Sequence, residues 1–371
     1  MKKLNTLLPF LTVLTAFLLI SWGQQGHYKI NLQSSESFNP EMQQFMDWAN
    51  TLADHASDAD YRKDTDPNEA PKHYIDIDSY PGFLQNGRIP ETYDSVVALY
   101  GHDFVLEQGI LPWATVITYD SLVHCFQRYD WNRAVLVAAD LGHYVADGHM
   151  PLHIATDYDG QNSGHDGIHS RYESSMINTF NSQITYPGGD IAVVDNVNAY
   201  VFQYLYANYK YVDSIFLADD YAKSVAGGTN SYAYKQALWS KTKSFTIPLF
   251  ANASRTLAEL IYTAWVEAGK PSINGSGIDD LPFGHSELWM LNYPNPVIKS
   301  LKIEVFNATD SQITIRIMDI TGKEISRLTE TSLERGKHTF SWDSLEIPQG
   351  VYFLVVDDGK TQLVRKLVVT F

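Results

Sequence analysis

Apolar and polar positions change rhythm twice along the chain. After Met1-Lys2-Lys3, an apolar run from Leu7 to Ile20 gives way to Ser21-Trp22-Gly23. A charged start followed by an apolar run too short to span a bilayer predicts an export signal over residues 1–21, cleaved before Trp22. From Pro40 to Gly269 apolar residues recur at helical spacing. Long helical segments are predicted at Glu41–His55, Trp131–His149, Arg171–Ile184, Asp195–Phe216 and Tyr232–Gly269, separated by Gly-, Pro- and Asn-rich loops. No other stretch is long and apolar enough to cross a membrane, so no stable membrane span is expected. Past Lys270-Pro271 a run of small polar residues reads as a linker, residues 271–288. The period then becomes two, with strands predicted at Leu301–Phe306, Gln312–Asp319, His338–Asp343, Val351–Asp357 and Leu363–Phe371. The expected fold is therefore a mainly helical domain, residues 22–270, followed by a small all-β sandwich, residues 289–371. No internal repeat is visible.

A chain of 371 residues with 44% hydrophobic content can bury one large core and one small one. The formal charge of -16 argues against a duplex-DNA binder, which requires a basic face, although a pocket carrying metal cations can still take a phosphate. A single cysteine, Cys125, rules out an intrachain disulfide and removes thiolates as metal ligands. Any metal must rest on His, Asp, Glu and backbone groups, which favours zinc over iron-sulfur or copper(I).

Candidate ligands are abundant. In Leu141-Gly-His-Tyr-Val-Ala-Asp-Gly-His-Met-Pro-Leu-His153, His143 and Asp147 are four apart and share one helical face. Pro151 ends that helix and lets His153 turn towards the same or a neighbouring cavity, while His149 lies off the shared face. His169 and Glu173 repeat the four-residue spacing, and two such pairs can face each other across a helical bundle. His165, in the preceding loop, is expected to be solvent-exposed. Upstream, Ala56-Ser-Asp-Ala-Asp60-Tyr-Arg62 and His73-Tyr-Ile-Asp-Ile-Asp78 add Asp60, with Asp58 as its competitor, and His73. Tyr74 is an aromatic beside a candidate ligand, suited to stacking on a base or lining a lipid pocket. In Trp22-Gly-Gln-Gln-Gly-His27, His27 follows Trp22 by five positions; signal removal before Trp22 would let the Trp22 amino and carbonyl groups chelate a metal together with His27.

In order, Trp-Gly-x-x-Gly-His at 22–27, Ala-Ser-x-Ala-Asp at 56–60, His-Tyr-Ile-Asp at 73–76, His-x3-Asp-x5-His at 143–153 and His-x3-Glu at 169–173 resemble the superfamily of zinc-dependent phospholipases C and single-strand-specific zinc nucleases. The resemblance implies a helical fold with three zinc ions in a cleft. Asp60, His73, His143 and Asp147 would hold one ion. Asp147 would bridge to a second, completed by Trp22 and His27, and His153, His169 and Glu173 would hold the third. It also implies metal-activated water attacking phosphorus, with Asp60, Asp147 and Arg62 as catalytic side chains, Lys63 as the alternative cation, and Tyr74 and Asp76 as substrate contacts. The first two motifs look nuclease-like, whereas Glu173 looks like the phospholipase branch. The balance favours a phospholipase C-like phosphodiesterase acting on phospholipid. A nuclease or 3'-nucleotidase acting on single-stranded nucleic acid is the second reading, and a non-catalytic, zinc-braced secreted binding protein the third.

The tail carries a separate resemblance. Leu291-Asn-Tyr-Pro-Asn-Pro296, Asp319-Ile-Thr-Gly-Lys323, Trp342-Asp343, Gly350-Val-Tyr-Phe353 and Lys366-Leu-Val are similar to the C-terminal sorting domain of type IX secretion substrates. That implies recognition by the type IX machinery and passage through the periplasm to the outside or the cell surface. No further protein partner is evident.

Overall fold

The computed structural model describes residues 23–273, 288–292, 297, 300–307, 310–334, 336–342, 347–360 and 362–370. The signal segment, Trp22, most of the expected linker and the Tyr293-Pro-Asn-Pro296 signature lie outside the described residues. The chain divides into two compact units: one runs to Phe126 and from Asp130 to Lys270, and the other takes in Gln127–Tyr129 and the chain from Pro271 onward. The first is helical and the second antiparallel β, as the change of period predicts.

In the helical unit, Gly23–Ser34 packs against Trp48–Asp54, Trp131–Gly148 and the long helix Tyr232–Glu267. Periodicity does not announce the first of these, because its buried face is Gly23, Gly26, His27, Ile30, Asn31 and Ser34, small and polar rather than leucine-rich. Asn31 secures it: its side-chain amide donates to the carbonyls of Leu52 and Ala139, each at 3.0 Å. Trp131–Gly148 approaches closely because position 142 is glycine. A Cβ there would stand 2.2 Å from Asn31 Oδ1 and 2.7 Å from Leu257 Cδ2. The Asp130 side chain accepts from the Arg133 amide and caps the start of this helix, and Pro151 two residues past its C-cap prevents its continuation.

Three predicted helices are broken up. Glu41–His55 is a 3-10 turn, Pro40–Phe45, followed by Trp48–Asp54. Asp195–Phe216 is two helices, Val197–Tyr209 and Val212–Ala226. Arg171–Ile184 starts as a π-helical turn, Arg171–Met176, which carries Glu173. Hydrophobic spacing does not distinguish a π turn from an α turn over so short a run.

The second unit has two sheets among its described residues: β1 (Leu288–Asn292), β2 (Leu301–Asn307) and β5 (Gly336–Trp342) in one, and β4 (Glu324–Leu333), β3 (Ser311–Met318), β6 (Gly350–Asp357) and β7 (Gln362–Val369) in the other, in those orders. All strand pairs are antiparallel. Ile313, Ile315 and Ile317 of β3 and Tyr352, Leu354 and Val356 of β6 alternate into the core with Leu301, Ile303 and Val305 of β2. The edge strand β4 escapes sequence reading because Glu324, Arg327 and Glu330 keep it polar, as edges commonly are.

Candidate metal centre

Four segments of the helical unit converge on one buried cluster. Asp60 comes from the short helix Asp58–Arg62, His73 from the 3-10 turn Ala70–His73, His143 and Asp147 from Trp131–Gly148, and His27 from Gly23–Ser34. Asp147 Oδ2 lies 3.0 Å from His73 Nδ1 and 3.3 Å from His143 Nε2. His73 Nδ1 and His143 Nε2 are 3.0 Å apart, and each is 3.6 Å from Asp60 Oδ1. Asp58 is excluded from the cluster by its partner, since its carboxylate meets His55 Nδ1 at 2.7 Å. His27 stacks on His143 with ring centroids 3.9 Å apart, and its Nε2 is 3.5 Å from Asp147 Oδ1.

A second group is adjacent. His153 Nε2 and His169 Nε2 lie 3.6 Å and 2.5 Å from Glu173 Oε2. His153 Nδ1 donates to the His73 carbonyl at 2.6 Å, and the Ile75 amide donates back to the His153 carbonyl at 2.9 Å, clipping the two clusters together. Glu173 Oε1 accepts from the Gly23 amide at 2.9 Å, which brings the start of the described chain to this group.

The ring tautomers follow from these contacts. A ring nitrogen facing a carbonyl must be the protonated one. His143 Nδ1 faces Ala56 O at 2.7 Å, His153 Nδ1 faces His73 O, and His169 Nδ1 faces Tyr158 O at 3.2 Å. The other nitrogen of each neutral ring therefore presents a lone pair to a carboxylate. His153 Nε2 and His169 Nε2 are buried without a hydrogen-bond partner. Lone pairs and carboxylates facing one another in a dry interior need a cation or protons between them. Without metal, protons serve: burial opposes the charge on His143, but Asp147 and Asp60 beside it raise its pKa to about 9. Burial likewise opposes ionised Asp147, yet His143 and His153 hold its carboxyl well below the usual range. Burial drives His27 far down, helped by His143.

Zinc fits the same arrangement. Four donors placed tetrahedrally at zinc distance stand roughly 3.3 Å from one another. The separations of 3.0 to 3.6 Å among Asp60, His73, His143 and Asp147 match that edge. Three groups could hold an ion: His73 with His143 and Asp147, His153 with His169 and Glu173, and His27 with Asp60 and His143, the first and last sharing His143. The last differs from the expected pairing of His27 with Trp22 and Asp147. Trp22 lies outside the described residues, while the contact of His27 with Asp147 is present.

The clusters open on a cavity of about 290 Å³ walled by Lys63, Ala70, His73, Tyr74, Asp76, Leu152, His153, Tyr158 and His169. The Tyr74 wall is braced from behind. The Asp76 and Ile110 amides donate to Gln108 O and Pro71 O, and Gly109, at φ +86, passes so near that a Cβ would stand 2.2 Å from Tyr74 O. Burial, then the charge of Asp78, raises the Asp76 carboxyl to about 7. Lys63 Nζ lies 2.6 Å from Asp60 Oδ1. Arg62 is not one of the cavity's walls; its guanidinium meets Asp140 Oδ1 at 3.0 Å and Glu69 Oε1 at 3.4 Å.

Of the remaining histidines, His149 stays apart from the clusters, donating to Val145 O and stacked on Tyr204. The expectation of an exposed His165 is corrected: it is 7% exposed, stacked on Phe216 and bound to Asp219 at 2.8 Å. Sequence reasoning also passed over Glu69 and Tyr158. Glu69 stands four residues before His73, the same spacing that singled out His143 and Asp147; Tyr158 carries no such signal.

Residues 292–370 match the family model of the secretion system C-terminal sorting domain. The chain thus carries a type IX sorting domain and is directed to the cell exterior or cell surface. No curated protein matches the chain. Among solved structures, the chain is similar to alpha toxin from Clostridium absonum, at 12% identity and TM-score 0.43, over 94% of this chain and 98% of that one. It is also similar to alpha-toxin of Clostridium perfringens from an avian strain, at 12% identity and TM-score 0.36, over 93% and 96%. Both likenesses are weak, so the functional reading rests on the site's own geometry. Among the described residues no helix is long and apolar enough to cross a membrane.

Proposed function

We propose that the helical unit is a secreted zinc-dependent phosphodiester hydrolase of the phospholipase C type, binding three zinc ions. The observation that carries this reading is the convergence of Asp60, His73, His143 and Asp147, with His73 and His143 each 3.0 to 3.6 Å from both carboxylates, beside a three-donor set that faces a cavity. Structural zinc sites are closed and four-coordinate, whereas three protein donors beside a cavity leave a position for water or substrate. Asp147 presents Oδ2 to the first set and Oδ1 towards His27, so its carboxylate would serve both sets; Trp22 would complete the second. His153, His169 and Glu173 would hold the third.

Zinc bound there supplies water activation and polarisation of the phosphoryl oxygens. The protein's own groups do the rest. Lys63, on the cavity wall, draws the phosphate anion in against the overall charge of -16. Tyr74 and Tyr158 give the leaving part of the substrate aromatic walls, and Asp76 offers a carboxyl that is half protonated near neutral pH. Arg62 acts on its two carboxylates and not on substrate. Glu173, resembling the phospholipase branch, favours phospholipid.

The test is hydrolysis of phosphatidylcholine, single-stranded DNA and RNA by the purified mature protein, with zinc counted by mass spectrometry. Chelator-sensitive phosphocholine release with three zinc ions per chain supports the proposal. Nucleic acid as the preferred substrate replaces it with the nuclease reading, and a single tight zinc without hydrolysis makes the metal a brace.

A further inference from the structure

Glu69 is 1% exposed and belongs to none of the metal groups. Its carboxylate takes Lys72 Nζ at 2.7 Å, Arg62 Nη2 at 3.4 Å and the Tyr144 hydroxyl in a short contact. Its Oε1 also faces His73 Nε2 at 3.6 Å, and that ring nitrogen has no hydrogen-bond partner. A buried carboxylate is costly without countercharge. Here Lys72 and Arg62 supply it, with Arg62 shared by Asp140.

We propose that Glu69 is a positioning residue for the metal centre, selecting the tautomer of His73 that carries its proton on Nε2. This inference rests on the zinc reading given above. Metal-bound histidines as a rule give their second ring N–H to a carboxylate, carbonyl or water, which fixes the tautomer and orients the ring. The His73 ring places Nδ1 among Asp60, His143 and Asp147 and Nε2 towards Glu69, with Tyr144 against its edge, ring centroids 5.6 Å apart. At 3.6 Å the Nε2 contact is longer than a hydrogen bond. With Nδ1 ligated, Nε2–H would be a stronger donor towards the Glu69 carboxylate. Arg62, Lys72 and Tyr144 then have a common task, to keep Glu69 ionised and pointed at the ring.

Two measurements on the full chain test this. Zinc affinity is titrated against a competing chelator for wild type, E69Q and E69D, and the His73 tautomer is read from two-bond proton–nitrogen NMR of the zinc-loaded wild type. Glu69→Gln is expected to weaken one zinc site about 10- to 100-fold, Glu69→Asp to recover part of that loss, and wild-type His73 to show protonated Nε2. Wild-type affinity in E69Q, or a protonated Nδ1 in wild type, overturns the proposal. If E69Q does not fold, the wild-type tautomer decides alone. A wild type that binds no zinc removes the functional reading itself, whereas normal zinc binding with an indifferent E69Q removes only the role of Glu69.

Discussion

Replacing Asp147 by Asn keeps its shape and removes its charge, which isolates what that charge contributes. The side chain is fully buried, with Oδ2 at 3.0 Å and 3.3 Å from His73 and His143 and Oδ1 at 3.5 Å from both His27 and His153. Removing one member of a buried charged set costs about 3 to 5 kcal/mol, because the remaining charges lose their partner. A unit of this size loses about 2 to 4 °C of Tm per kcal/mol, so Tm in chelator should fall by roughly 6 to 20 °C. With zinc supplied a second loss is expected, since an amide would be a weaker metal ligand than the carboxylate and stabilisation by bound metal falls with affinity. The assay is thermal unfolding followed by the helical circular-dichroism signal, with and without chelator, alongside zinc counting. A D147N protein whose chelated Tm stays within about 2 °C of wild type, or one that retains every zinc ion, refutes the reasoning.

Three further outcomes are expected. In metal-free protein His143, raised to about 9, contributes stability that is fully present below the unfolded value of about 6.5 and lost as pH rises through about 9, a change of about 3 kcal/mol. Asp147, depressed, contributes stability present above about 3.9 and lost as pH falls through its lower folded value. Zinc-loaded protein should lack the alkaline loss, because a ligated histidine is neutral; parallel alkaline curves in urea titrations of the two forms would rule this out. Gly142→Ala should cost about 1 to 3 kcal/mol by overpacking against Asn31 and Leu257, and an unchanged urea midpoint would show that the helices give way freely. Asp219→Asn, which leaves Arg171, Lys223 and His165 facing a neutral side chain, should cost about 3 to 5 kcal/mol and speed amide exchange at His169, whose amide is held by Asp159 in the same loop region. Unaltered exchange there would uncouple the loop from Asp219.

How much of this was legible in sequence depends on how local the cause is. His143 and Asp147 meet because four helical residues bring side chains onto one face, and β3 and β6 could be read because their burial alternates. Helix Gly23–Ser34 could not, since its reason to exist is the fit of Asn31 and Gly142 against neighbours over a hundred residues away. His165 looked like a loop residue open to water. It is buried because Asp219 and Phe216, on a distant helix, provide a partner and a stacking face. The partners of Arg62, Asp140 and Glu69, are equally hidden, one of them being 78 residues away. Long-range partners of this kind leave no periodic trace.

The reach of the donor cluster along the chain bears on how an exported protein with one cysteine keeps its shape. The contact of His73 with His143 spans 70 residues, and that of His73 with Asp147 spans 74. A covalent cross-link closing a loop of that length would remove about 4 kcal/mol of freedom from the unfolded chain. Zinc held across these positions would act as a set of staples in a chain that cannot form an intrachain disulfide. Such staples are absent while the ligands are apart and close only once the helices have met, so the supply of zinc outside the cell would set how firmly the helical unit stays folded.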